Sequence, residues 1–257
     1  MVNYKNIVLK IGSALLTDVS HDVDEFIKNV CKQIVKAKKN GVNFTIVTSG
    51  AISKGQEVLN VSERPDDLDF LQALAAIGQQ SLMRMYETHF NNLDCLTAQV
   101  LLTHDDMNSP NRFLNAKATI SRILKLGGVP IINENDVVAT EEIRLGDNDT
   151  LAAMVSNLID ADLLIILTNQ DGLYNKNPDK NHDAKLIKKC NVKNLEEEDY
   201  DITEKSKFGT GGFKTKLNAV KMVTSLGTKS VIASGFKQNV IENILDNKNV
   251  GTIFFTE

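Results

Sequence analysis

Apolar residues recur along the chain in short blocks that end abruptly in glycine, serine, asparagine or aspartate, and between these blocks they return at helical spacing. Asn6 leads into Ile7 to Ile11, apolar apart from Lys10, which predicts a first strand ending at the turn Gly12-Ser13. Asp24 to Lys39 carries Phe26, Ile27, Val30, Ile34, Val35 and Ala37 on one side and lysines on the other, an amphipathic helix closed by Asn40-Gly41. Val42 to Val47 predicts a second strand running into Thr48-Ser49-Gly50-Ala51-Ile52 and a helix start. Leu68 to His89 and Asn111 to Leu126 read as helices, with Cys95 to Leu102 as a strand between them. Val129 to Ile132 reads as a buried strand, and Leu163 to Leu167 is wholly apolar, as expected of a strand buried on both faces of a parallel sheet. Lys185 to Cys190 reads as an antiparallel hairpin strand. Ser230 to Ala233, Val240 to Leu245 and Thr252 to Phe255 then complete strand, helix, strand.

About seven strands thus alternate with helices, without an internal repeat or a Gly/Ser linker. The fold class is α/β: a three-layer αβα arrangement around a doubly wound, open, mostly parallel sheet. Ligands belong at the C-terminal ends of such strands.

Polar residues gather where that rule places a ligand. The strand from Val129 empties into Asn133-Glu134-Asn135-Asp136 and, further on, into Gly146-Asp147-Asn148-Asp149; Leu151, Val155, Leu158 and Ile159 then resume helical spacing. Asparagine and aspartate are ordinary turn formers, and Asp149 alone suits a helix N-cap. The density on one sheet edge exceeds what two turns require and points to a polar ligand carrying an amine and a carboxylate. Lys10 is costly to bury unpaired within a strand, so its ammonium is expected to point off the strand end into a site. Beside it, Gly12 and Ser13 offer small residues and unencumbered backbone N–H groups suited to a phosphate chain. A second glycine-rich segment, Gly209-Thr210-Gly211-Gly212-Phe213-Lys214-Thr215-Lys216, leads into a helix through Leu217, Val220 and Val223.

Composition narrows the classes. The 257 residues suffice for one α/β domain or two small ones, 42% are hydrophobic and 24% charged, and the net charge of −4 argues against a large nucleic-acid footprint. Cys31, Cys95 and Cys190 show no C-x-x-C spacing, so free core thiols in a reducing compartment are expected. No apolar run approaches the ~20 residues of a membrane span or forms a signal-peptide core near Met1, so the expected setting is cytoplasmic, without a membrane.

The converging strand ends suit phosphoryl transfer, in which a protein positions reactants and neutralises charge on the moving group. Lys10 and Lys216 would flank that group. Mg²⁺ would bridge nucleotide phosphates, held mainly by phosphate and water rather than by a protein cage. The chain has no G-x-x-x-x-G-K-[ST] loop, no H-R-D set and no G-x-G-x-x-G after the first strand, which sets aside P-loop enzymes, protein kinases and dinucleotide-dependent dehydrogenases.

Six segments in order, Lys10-Ile11-Gly12-Ser13, Thr48-Ser49-Gly50-Ala51-Ile52, Ile132-Asn133-Glu134-Asn135-Asp136, Gly146-Asp147-Asn148-Asp149, Thr168-Asn169-Gln170-Asp171-Gly172-Leu173-Tyr174 and Gly209 to Lys216, resemble the glutamate 5-kinase branch of the amino-acid kinase family. The resemblance implies a transferase using ATP and Mg²⁺ to phosphorylate the γ-carboxylate of L-glutamate, the first step of proline biosynthesis. By matching position it assigns Lys10 and Lys216 to stabilising the phosphoryl group and Asp149 to orienting them. It assigns Ser49, Gly50, Asn133, Asp136, Asp147 and Asn148 to glutamate. ATP falls to Lys10, Gly12, Ser13, Thr168, Asn169, Thr210, Gly211, Gly212, Phe213, Lys214, Thr215 and Lys216. One kinase domain over 1–257 is implied, its N-terminal part mainly glutamate-binding and the part from about 160 mainly ATP-binding, without the C-terminal PUA domain of many members. Also implied are a homo-oligomer, proline as feedback inhibitor and glutamyl phosphate reductase as receiver of the product. Asn169 departs from the pattern, standing where an Asp is frequent.

Elementary chemistry agrees with these implications. A substrate carboxylate, with a pKa of about 4.3 in water, is already ionised at neutral pH and needs no general base, so the scattered His21, His89, His104 and His182 are no objection. The competing readings are another kinase of the fold, acting on acetylglutamate, aspartate, carbamate or UMP, and a non-catalytic amino-acid sensor. The presence of both Lys10 and Lys216 favours catalysis, since a pure binder has no use for two phosphoryl-stabilising cations.

Overall fold

In a computed structural model, which describes residues 4–18, 20–139, 148–178, 180–195 and 212–256, the middle layer is a single sheet of eight strands among those residues. The strands are β1 (Asn6–Ile11), β2 (Asn43–Val47), β3 (Thr97–Leu102), β4 (Val129–Glu134), β5 (Leu163–Thr168), β6 (Lys189–Asn191), β7 (Lys229–Ser234) and β8 (Thr252–Phe255). Their spatial order is β3-β4-β2-β1-β5-β7-β8-β6. All neighbours are parallel except β7 and β8, so β8 and β6 run against the other six. The α/β, mostly parallel architecture read from the sequence is the one found, with eight strands rather than about seven.

The helices are α1 (Ala14–Thr17), α2 (Val23–Lys38), α3 (Ala51–Leu59), α4 (Leu68–Asn91), α5 (His104–Asn108), α6 (Pro110–Lys125), α7 (Asn148–Leu158), α8 (Phe213–Ser225) and α9 (Val240–Leu245). Local chemistry sets their ends. The Asp22 carboxylate accepts the Glu25 N–H at the start of α2, and Thr103 with Asp106 forms a capping box on α5. Pro110 opens α6, where its missing N–H costs nothing.

Alternation along β1 sends its side chains to opposite faces. Ile7, Leu9 and Ile11 join one core with Ile27, Val30 and Ile34 of α2 and Leu82, Tyr86 and Phe90 of α4. Val8 joins the other, with Leu151 and Val155 of α7 and Leu217 and Val220 of α8. By the same alternation Lys10 shares the face of Val8. A lysine at this position therefore meets α7 and α8, and that geometry builds the site.

One strand expectation holds only in part. Around Leu186 the chain pairs antiparallel with Tyr174, with Asn175 N–H donating to the Lys185 carbonyl and Ile187 N–H to the Leu173 carbonyl, but the strand β6 covers Lys189–Asn191 and pairs in parallel with β8. Pairing partners more than 60 residues apart in sequence leave no local signature, and hairpin spacing suggested the wrong neighbour for Lys189 and Cys190. The acidic run Glu196 to Asp199 lies outside the described residues. All three cysteines are free and buried. No helix among the described residues is long and apolar enough to cross a membrane.

Candidate active site

The C-terminal ends of β1, β2, β4 and β5 open onto one edge of the sheet, and two clusters of polar side chains meet there at the start of α7. The first is centred on Asp149, which is 1% exposed. Its Oδ1 lies 2.6 Å from Nζ of Lys10, and its Oδ2 lies 3.1 Å from Nζ of Lys216. Lys10 comes from β1 and Lys216 from α8, and they are 5% and 7% exposed. The Thr215 hydroxyl stands 2.8 Å from Asp149 Oδ2 and 2.9 Å from the Gly212 carbonyl, so its single proton serves one acceptor at a time.

Burial by itself would raise the Asp149 pKa. The charges of Lys10 and Lys216, with hydrogen bonds from Lys10 and Thr215, overturn that and hold the carboxyl well below the usual carboxylate range. Asp149 is thus a permanent anion between two cations. Read alone, its sequence position suited a helix cap; its carboxylate instead faces Lys10, Lys216 and Thr215. The cluster of three carries a net positive charge, and its cations are held in place before any ligand arrives.

The second cluster is a chain of amides. The two hydrogens of Asn148 Nδ2 go to the Thr48 carbonyl at 2.5 Å and to Asn133 Oδ1 at 2.7 Å, with Ser49 Oγ 3.3 Å from the same nitrogen. Asn133 Oδ1 also accepts the Glu134 backbone N–H at 2.9 Å, and Asn133 Nδ2 donates to Gln79 Oε1 at 2.8 Å. Ser49, Asn133 and Asn148 are each buried, and the network ties the ends of β2 and β4 to α4 and α7. Since Asn148 and Asp149 are adjacent, the amide chain and the lysine clamp stand side by side.

The other residues singled out from sequence fall around these clusters. Gly50 has φ +95°, a left-handed turn between β2 and α3 that a side chain would strain. Gly12 does not offer a free amide as expected: its N–H donates to the Leu167 carbonyl at 3.0 Å, extending the β1 to β5 pairing. A Cβ there would lie a tight 3.2 Å from the Leu167 carbonyl oxygen and at ordinary contact, 3.9 Å, from Lys10 Nζ. Ser13 opens α1, and Thr168 and Asn169 close β5, joined by a 3.2 Å hydrogen bond. Gly212 is the N-cap of α8 and makes no side-chain cap bond, Phe213 packs against the core, and Lys214 is exposed.

Asp136 is half-buried in the turn after β4 and makes no hydrogen bond to the amide chain among the described residues. Burial first, and the Glu134 charge second, push its carboxyl up to about 7 against the opposing pull of Arg64. Asp147, Thr210 and Gly211 lie outside the described residues.

Gln79 escaped sequence reasoning, and Glu134 was named within the polar segment without a role. Gln79, 8% exposed on α4, anchors the amide chain, and Glu134, 5% exposed, lies 3.3 Å from His104 Nδ1. A helix read by its apolar positions hides a glutamine on the buried face. The available signal was the Gly78-Gln79-Gln80 interruption inside the apolar pattern.

The chain matches the model of the Amino acid kinase family over residues 5–234. Among curated sequences it is 43% identical to the glutamate 5-kinase of Hydrogenovibrio crunogenus over 97% of its own length and 67% of that protein. It is 44% identical to that of Caldanaerobacter subterraneus, again spanning 67% of the relative. With the glutamate 5-kinase of Alkaliphilus metalliredigens the identity is 42%, and the match spans 97% of this chain and 95% of that one. Among solved structures, the Bacillus anthracis UMP kinase superposes with a TM-score of 0.67 at 15% identity, covering 99% of this chain and 97% of that one. The T. acidophilum isopentenyl phosphate kinase gives 0.66 at 16% identity, covering 96% and 99%. These likenesses carry the fold and no further. The parallel sheet, the matches over nearly the whole of this chain and the family model agree: this chain belongs to the amino acid kinase family, within its glutamate 5-kinase branch.

Proposed function

We propose that this protein transfers the γ-phosphoryl group of ATP to the γ-carboxylate of L-glutamate, giving glutamyl 5-phosphate and ADP, the first step of proline biosynthesis. The observation that carries the reading is the buried Lys10–Asp149–Lys216 clamp beside the amide chain of Ser49, Asn133 and Asn148. A transferring phosphoryl group spreads charge over its equatorial oxygens, and stabilising that charge is most of the catalytic task. Two ammonium groups fixed by one carboxylate do this without reorganising during the reaction. The acceptor carboxylate is already ionised, so in-line attack needs positioning and no base.

The substrates divide across the sheet edge. The N-terminal part, through Ser49, Gly50, Asn133, Asp136, Asp147 and Asn148, receives glutamate, with the acidic residues taking its α-ammonium. The part from about residue 160 receives ATP, with Thr168 and Asn169 beside the nucleotide and Thr210 to Lys216 along its phosphates. The N-terminus of α8, which lacks a side-chain cap, favours phosphate there. Lys10, Gly12 and Ser13 meet the phosphates from the β1 side, through Lys10 and the Ser13 turn rather than through the engaged Gly12 N–H.

Mg²⁺ enters as a companion of ATP. The donor set offers it no protein cage: both Asp149 oxygens face lysines, and no group of three His, Cys, Asp or Glu side chains comes together among the described residues. When bound, it neutralises nucleotide phosphate charge, held by phosphate and water. Proline as feedback inhibitor, a homo-oligomer, a cytoplasmic setting and delivery of the labile product to glutamyl phosphate reductase belong to the same proposal. The test is ADP release with L-glutamate, ATP and Mg²⁺, with and without proline, set against acetylglutamate, aspartate, carbamate and UMP as acceptors; a preferred acceptor other than glutamate overturns it.

A further inference from the structure

The amide chain has a direction, and its free end points to a role for Gln79. The backbone N–H of Glu134 can only donate, so Asn133 must present Oδ1 to it, at 2.9 Å; Asn148 Nδ2 donates to that same oxygen. Asn133 Nδ2 is therefore turned to Gln79, which must present Oε1 at 2.8 Å. The amide of Gln79 is thereby fixed with Nε2 on the side away from Asn133, and that buried nitrogen has no hydrogen-bond partner among the described residues. A buried donor left unpaired is destabilising, a penalty that a ligand oxygen would remove.

The position of Gln79 is set from outside the network. Its neighbour Gly78 lies so close to α3 that a Cβ would stand 1.8 Å from the Ala51 carbonyl, and one on Gly55 would stand 2.0 Å from the Leu74 carbonyl. Helix α4 is thus pressed backbone to backbone on the first turns of α3, directly after Ser49 and Gly50. Gln79 lines a cavity of ≈ 460 Å³ together with Glu134, Asn135 and Asp136.

We infer that Gln79 is a substrate-binding residue whose Nε2 donates a hydrogen bond to a carboxylate oxygen of the amino acid, completing the chain that begins at Asn148. The inference rests on the functional reading above. Such a donor contributes specificity as well as affinity, because a ligand without an acceptor at that point leaves the nitrogen unpaired.

Gln79→Glu separates the two ends of the side chain. It keeps an oxygen for Asn133 Nδ2 and puts a second oxygen, carrying negative charge, where Nε2 stood. The glutamate KM is expected to rise about tenfold or more with the ATP KM nearly unchanged, while the added buried charge beside Glu134 lowers thermal stability. An unchanged glutamate KM overturns the role of Gln79. Lack of glutamate turnover by the wild type is a different failure, that of the functional reading itself. Should the variant not fold, the wild-type protein labelled with ¹⁵N decides: the side-chain NH₂ resonance of Gln79 shifts on saturation with L-glutamate, and a resonance that stays fixed overturns the inference.

Discussion

Lys10 and Asp149 form a buried ion pair, Nζ to Oδ1 2.6 Å, that fastens the central strand β1 to the first turn of α7. The second oxygen of the same carboxylate holds Lys216 of α8, so a single side chain connects three elements on one face of the sheet. Removing one member of a buried pair leaves the others without compensation, which costs about 3–5 kcal/mol. Asp149→Asn should therefore lower Tm by roughly 10 °C in a chain of this size and abolish most turnover. A variant as stable as the wild type would deny the carboxylate its structural part.

The same group sets an acid limit. The folded-state pKa of Asp149 is depressed, so its contribution is fully present above the unfolded value of about 3.9 and is lost as pH falls toward the folded one. The stability difference between wild type and Asp149→Asn should be flat from about pH 5 to pH 8 and shrink below about pH 4. Urea titrations across that range measure it; a difference that changes between pH 6 and pH 8 would point to another group.

Lys216→Ala leaves Lys10 to balance Asp149, so the fold should survive while kcat falls by about 10²- to 10³-fold, the loss expected when a preorganised charge at the moving group disappears. Circular dichroism and single-turnover kinetics together check this. Unchanged turnover in a folded variant removes the proposed role.

Asp136 predicts a pH effect of opposite sign. With its carboxyl pushed up to about 7, the folded protein holds a proton there that the unfolded chain has released above about pH 4, so its contribution to stability declines as pH rises between those values. Only the ionised form can pair with an α-ammonium. The wild-type glutamate KM should fall between pH 6 and pH 8, whereas Asp136→Asn should have a high, flat KM with the ATP KM unaltered. An effect confined to the ATP KM would place Asp136 in the wrong subsite.

Much of this arrangement was legible in the chain. Lys10 declared itself as a charge inside an apolar strand, and the wholly apolar Leu163 to Leu167 declared a strand buried on both faces. Residues whose meaning depends on distant partners were harder. Asp149 suited a helix cap until β1 and α8 brought their lysines to it, and Gly12 looked like an open phosphate amide until β5 claimed its N–H. Gln79 was invisible because the apolar period of α4 counts only the residues that pack. Gly78 and Gly55 allow the α3 and α4 backbones to touch, a contact between two helices that no local pattern announces.

The account stands or falls on the acceptor. ADP release measured with ATP and Mg²⁺ should depend on L-glutamate, exceed that with acetylglutamate, aspartate, carbamate or UMP, and collapse in Lys216→Ala; equal or faster release with any of those acceptors, or release indifferent to Lys216, would contradict it.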